Sequence, residues 1–333
     1  ATLSISGNLN LASPYNFAAR VRATLHDLAW LNNLDADFRP PVEVAGNFTL
    51  NADADGSLDT KQVRARGTLD GQALKAGGIA VDRLSVPFEG TLDRIRLNSA
   101  RVDLYGGLIS ANFALPSDLK GNIGMGVRVR NVDLGAMVAA ALSQPQPWRS
   151  VASGTFQLQA PANRLADLGT WAGQGDLSLG QGNLLGIDVA QIVANVRIGN
   201  GQLAVNRLSV DSPLAQVTGS AQLNLTTPFD FSTALRMENV EFAQLNHLQG
   251  AVRLPVTVAG RAGISARAQG TLQPPRVTLR GGIATRGLRA ESVVFDSLNL
   301  TYSAESGDDV RDPAKWQADL DANWGGARLA QST

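Results

Sequence analysis

The sequence predicts an all-β protein dominated by a long antiparallel sheet. Three observations predict it. Apolar and polar residues alternate with a period of two through most of the chain. Clusters of Gly, Asn, Asp and Pro interrupt that alternation at short intervals. Helical periodicity is confined to a few brief stretches. The clearest run is Ala215 to Leu225, where Ala215, Val217, Gly219, Ala221, Leu223 and Leu225 alternate with Gln216, Thr218, Ser220, Gln222 and Asn224. A strand with that pattern has one apolar and one polar face.

Taken in chain order, the same reading places strands at Phe17 to Leu25, Phe48 to Leu50, Ile95 to Leu97, Val102 to Leu104, Val127 to Val129, Phe156 to Leu158 and Leu177 to Leu179. Further runs follow at Phe229 to Met237, Val256 to Val258, Val277 to Leu279 and Leu298 to Tyr302. The clusters Asp53 to Gly56, Tyr105 to Gly107, Gly199 to Gly201 and Ser306 to Asp308 read as hairpin turns, so neighbouring strands are expected to be antiparallel. The expected count is roughly twenty strands. The best helical segment is Val132 to Leu142, with Asn131 or Asp133 as N-cap and Pro145 as a stop. Asn163 to Ala172 is a second, weaker candidate.

Composition narrows the function. The 333 residues carry 29 basic and 29 acidic side chains, which argues against nucleic acid as a partner. There is no Cys, so disulfides and thiolate metal sites are excluded. With two His residues and no cluster of titratable groups, no catalytic, cofactor or metal site is expected, and the chain reads as non-enzymatic. No stretch reaches the ~18 apolar residues of a membrane helix. The longest, Gly135 to Leu142, has eight. The alternation is already running at Ala1, with no leader-like segment before it, so the chain reads as an internal piece of a longer protein.

A repeat is visible. His26-Asp27-Leu28, Val132-Asp133-Leu134 and Val240-Glu241-Phe242 recur about 107 residues apart, each preceded by a Pro and a strand: Pro14, Pro116 and Pro228. This predicts three units, 14–115, 116–227 and a partial 228–333. A sheet with one apolar face must bury that face. Without long helices, it either folds onto itself as a sandwich or barrel, or curls into a U filled by something apolar. Small inward residues favour an open lumen, although they also fit tight sheet packing.

Several local motifs have bland readings. Asn51-x-Asp53-x-Asp55-Gly56 resembles the opening of a calcium loop, but Gln62 stands where a bidentate Glu is needed; a hairpin turn is the simpler reading. Gly180, Gly182 and Gly186 have the wrong spacing for a dinucleotide fingerprint. His26 and His247 read as surface or turn residues, and Asn47, Asn224 and Asn299 as outward strand positions despite their N-x-T context. Trp148, Trp171, Trp316 and Trp324 read as packing residues flanking turns.

Three segments carry a family resemblance. They are Asp176 to Gly186, within G-D-L-S-L-G-Q-G-N-L-L-G, Arg101 to Ser110, with its L-Y-G-G-x-x-S, and Gly270 to Val277, with its G-T-L-x-x-P. Together with the recurring V-D-L or V-E-F turn, the chain resembles the AsmA-like superfamily, the group of TamB- and YhdP-type proteins. The resemblance spans most of the chain and is one of pattern more than of motif. It implies a fold and a role. The fold is a long antiparallel sheet curled into a U-shaped repeating β-groove with a few short helices. The role is non-enzymatic phospholipid transport between inner and outer membrane, in the periplasm, by a parent anchored in the inner membrane. The alternative is a TamB-like scaffold that assists assembly or secretion of outer-membrane β-barrel proteins, through contacts outside this segment. On this reading, phospholipid acyl chains are the partners. The expected lining residues are Val217, Leu223, Leu225, Phe229, Phe231, Leu235, Val256, Val258, Val277, Leu279, Leu298 and Leu300.

Overall fold

A computed structural model describes residues 2–33, 43–76, 78–118, 120–142, 150–165, 167–184, 187–242, 258–307 and 315–329. The described chain is all-β apart from one α-helix and two 3-10 turns. It divides into two compact units, 1–173 and 174–333. That boundary falls inside the second sequence repeat, so repeats and compact units are different divisions of the chain.

Unit 1 contains β1 (Thr2–Leu9), β2 (Asn16–Leu25), β3 (Val44–Ser57), β4 (Gln62–Ala76), β5 (Ile79–Thr91), β6 (Arg94–Leu104), β7 (Gly107–Pro116), β8 (Asn122–Asp133) and β9 (Val151–Pro161). Each strand pairs antiparallel with the next. Unit 2 contains β10 (Ala172–Leu179), a small hairpin of β11 (Gly182–Leu184) and β12 (Ile187–Val189), and β13 (Gln191–Gly199). There follow β14 (Gln202–Asp211), β15 (Gln216–Asn224), β16 (Asp230–Glu241), β17 (Val258–Leu272), β18 (Pro275–Ala290), β19 (Val293–Glu305) and β20 (Gln317–Leu329). From β13 to β20 each strand again pairs antiparallel with its successor. Asn195 Nδ2 donates to Asp176 Oδ1 at 3.0 Å, linking β13 to β10.

Turn chemistry explains the tight connections. Tyr105 and Gly106 have φ of 46° and 72°, and Asn200 and Gly201 have φ of 53° and 70°. Two successive positive φ values make the two-residue turn whose twist matches the flanking strands. Asp53 to Gly56 is not a turn. It lies inside β3, and the chain reverses at residues 58–61 instead. The reason is cross-strand charge. Asp53 faces Arg20 on β2 and Arg66 on β4, so acidic residues that would favour a turn are held in a ladder.

The helix α1 (Leu134–Leu142) ends where the expected segment ends but starts two residues later, because Val132 and Asp133 complete β8. Asp133 is the N-cap: its Oδ1 accepts from the N–H of Ala136 at 3.0 Å. Pro145 lies outside the described residues. The second helical candidate shortens to a 3-10 turn, Leu168–Thr170, capped by Asp167. A further 3-10 turn, Ala29–Asn33, is held to β3 by paired bonds between the Asn32 amide and the Val44 backbone at 2.8 and 2.9 Å. It sits at the same end of the unit 1 sheet as α1, which packs against β5 and β9.

Burial separates a sandwich core from a single-layer sheet. Among the described residues, only Ile123, Val132 and Val240 are large side chains that are fully buried, and much of the remaining buried apolar set is Ala. A closed sandwich would bury its whole inner face. Here the apolar positions along the strand centres are half-buried. In unit 2, the buried residues Ala215, Val240, Val258, Ala262 and Leu288 gather at the end where β15 and β17 begin and β16 and β18 finish.

One local device recurs in both units. Asn131 and Asn239 have φ of 53° and 56°, each within a bulge, and the next residue is Val132 or Val240 at 1 % exposure. The left-handed Asn absorbs the extra residue and turns the following Val back to the apolar face.

Candidate functional site

The candidate site is the apolar face of each sheet. Register builds it into rows that cross the strands. In unit 1, one row runs through all nine strands: Ile5, Val21, Ala52, Gly67, Phe88, Leu97, Phe113, Met125 and Leu158 are successive cross-strand partners. Every member is apolar. Ile5 on β1 is 67 % exposed.

Unit 2 shows the same construction, and most of the expected lining residues fall into it. Leu223, Phe231 and Val277 share a row with Ile198, Leu203 and Gly270. Leu279 lies in the next row with Val205, Ala221, Thr233 and Ala268. Leu235 follows, beside Gly219 and Ala266. Val217 and Leu300 share a row with Met237, Ile264 and Ile283. Leu298 stands opposite Thr285 in the row that contains Val240 and Ala262.

The other four expected residues are placed differently. Leu225 follows the end of β15 and donates its N–H to Gly201 O at 2.7 Å. Phe229 occupies the turn before β16 at φ 58°. Both therefore stand at the rim of the rows. Val258 begins β17 and is buried. Val256 lies outside the described residues, as does His247; His26 is exposed. Trp324 is within β20, not beside a turn, and is 60 % exposed.

Space for the large side chains comes from small partners. Tyr302 on β19 lies opposite Gly281, and its Oη donates to Ser265 O at 3.3 Å. A Cβ on Gly281 would strike the Tyr302 ring, so the phenol lies flat across the glycine. Burial of the ring raises the Tyr302 pKa above its usual value. Phe88 covers Gly67 in the same way, with a Cβ there falling 2.8 Å from its Cζ. Large groups that lie down on glycine gain burial from their own sheet. The sequence reading did not single out Gly67, Gly281 or Tyr302. The signal is a glycine on an apolar strand position opposite an aromatic, which requires the register.

The opposite face is polar and carries the charges. Arg20 Nε donates to Asp53 Oδ1 at 2.7 Å, and this bond holds the Asp53 carboxyl below the usual carboxylate range, helped by Arg66 and Arg22. Among the described residues, no group of three or more His, Asp or Glu is arranged to hold a metal ion. No described helix is long and apolar enough to cross a membrane. Asn51, Asp53 and Asp55 alternate along β3, so they do not wrap a common point as calcium ligands must. What the site can do chemically is offer apolar contact over a long surface. Comparison with known proteins found no matching family model, no similar curated protein and no similar solved structure.

Proposed function

We propose that this chain is a non-enzymatic lipid conduit of the AsmA-like kind, in which the apolar face lines a U-shaped groove. Phospholipid acyl chains lie along the rows, and headgroups stay towards water. In this reading the parent protein is anchored in the inner membrane, and lipids pass through the periplasm towards the outer membrane. One observation carries the proposal: an unbroken apolar row across all nine strands of unit 1, repeated in the rows of unit 2, whose large residues are only half-buried by protein. A continuous apolar surface is what soluble proteins normally keep covered or use for binding. Contacts of Val, Leu, Ile and Ala yield about 25 cal/mol per Å² buried and no directional bond. A chain held this way gains affinity from length without a deep local well, so it can slide.

The test is mass spectrometry of lipid co-purified with the full chain, together with uptake of a fluorescent fatty acid. Leu223→Asp or Phe231→Asp should lower uptake severalfold, because each places a carboxylate where an acyl chain must lie. A chain that carries no lipid and also refuses the fatty acid would end the proposal.

The alternative reading is a scaffold that guides strands of an outer-membrane barrel, in which sheet edges matter more than the apolar face. A proline placed in β1 that abolishes assembly of a client barrel, while leaving fatty-acid uptake intact, would favour this reading over lipid transport.

A further inference from the structure

The two units arrange charge differently on their polar faces. In unit 1 the signs alternate along one row of cross-strand partners: Arg20, Asp53, Arg66, Glu89 and Arg96. In unit 2, two arginine pairs face each other directly between β17 and β18, Arg261 with Arg286 and Arg267 with Arg280. Like charges directly opposite weaken a ladder. The first pair is compensated, because Arg261 bonds Glu241 Oε1 at 3.0 Å. Among the described residues, neither Arg267 nor Arg280 has a carboxylate partner.

Both arginines line a hollow of about 390 Å³, together with Ser220, Ser232, Gln269 and Thr278. A second hollow of about 500 Å³ shares the pair. The row through it reads Ser220, Ala234, Arg267, Arg280, Ser303, so the small Ala234 leaves room beside the two guanidinium groups. Guanidinium, hydroxyl and amide groups supply many donors, and no carboxylate lines the first hollow to repel an anion. Planar, permanently charged guanidinium groups match the oxygens of a phosphate better than any other side chain does.

We propose that Arg267 and Arg280 form a site for a phosphate group on the polar face of unit 2. The bound anion neutralises the two facing cations, so binding and stability are coupled. The site stands on the face opposite the acyl rows and holds or fails apart from the lipid reading; Leu223→Asp leaves the phosphate response unchanged.

Thermal unfolding of the full chain in chloride and in inorganic phosphate, at matched ionic strength, tests the site. Phosphate raises the transition of the parent and of Arg128→Gln, a change on β8 in the other unit. Arg267→Gln and Arg280→Gln lose that response, and titration calorimetry shows phosphate bound about tenfold more weakly or not at all. In chloride alone both variants unfold at or above the parent temperature, since the repulsion is gone; this also shows that they fold. Vesicles of phosphatidylglycerol that bind the parent and are displaced by inorganic phosphate identify the source as a lipid headgroup. Phosphate binding without vesicle association identifies a soluble phosphate. A parent with no phosphate-specific shift, or a shift equally present in Arg280→Gln, overturns the site.

Discussion

Thr285 stands on the apolar face of unit 2, 4 % exposed, between Ala262 on β17 and Leu298 on β19. Its Oγ1 is enclosed and has no hydrogen-bond partner among the described residues. Folding therefore strips water from a hydroxyl and returns nothing. Thr285→Val keeps the shape and replaces the hydroxyl by a methyl. Removing an unsatisfied buried group is worth about 1–3 kcal/mol. The added methyl contributes up to about 0.8 kcal/mol more, and a slight misfit against Leu298 subtracts part of that. The expected net is a stabilisation of about 1–3 kcal/mol. With a urea m-value of about 2 kcal/mol/M, the midpoint for unit 2 rises by roughly 0.5–1.5 M at unchanged slope. Thr285→Ser is the paired control. It keeps the hydroxyl, deletes the methyl, and should lower stability by about 1 kcal/mol. Urea titrations followed by far-ultraviolet circular dichroism read both. A lower midpoint for Thr285→Val at unchanged slope would mean that the hydroxyl is bonded in the folded protein, and the argument for a dry apolar cluster around Val240 would fall with it.

Other outcomes follow from the same geometry. Asn239→Val puts a β-branched residue at φ 56° and should cost about 1–2 kcal/mol, whereas Asn239→Gly should be close to neutral; both are read from thermal unfolding. Gly281→Val collides with the Tyr302 ring and with Ser265 O and should destabilise by about 1–3 kcal/mol; a smaller loss in the double change Gly281→Val, Tyr302→Ala would tie the effect to that collision. Arg20→Met removes the bond that depresses the Asp53 carboxyl, so its titration midpoint, followed by NMR, should move up. Because the folded pKa is the lower one, the bond adds stability above the unfolded carboxylate pKa of about 3.9 and loses it as pH falls through the folded value. Acid sensitivity should therefore be smaller in Arg20→Met than in the parent.

Most of the strand pattern was legible because a period of two is a direct statement about faces. Ala215 to Leu225 could hardly be read otherwise, and the Tyr105-Gly106 and Asn200-Gly201 turns announce their backbone. Asp133 was legible as one of two candidate caps, beside Asn131, for the same local reason. Asp53 to Gly56 was misread because its partners, Arg20 and Arg66, are distant in sequence, and propensity has no access to them. Val132 and Val240 stood out as a repeat, but that they are the fully buried points depends on the left-handed Asn before each, which local pattern does not show.

The sequence by itself determined an all-β, antiparallel, two-faced chain without disulfides, because alternation, turn residues and composition act locally. Only the tertiary structure decided which residues share a row, where glycine lies beneath an aromatic, and that Arg267 meets Arg280. Those follow from register, and register is set by pairing strands that compete for the same face, a choice that no single strand contains.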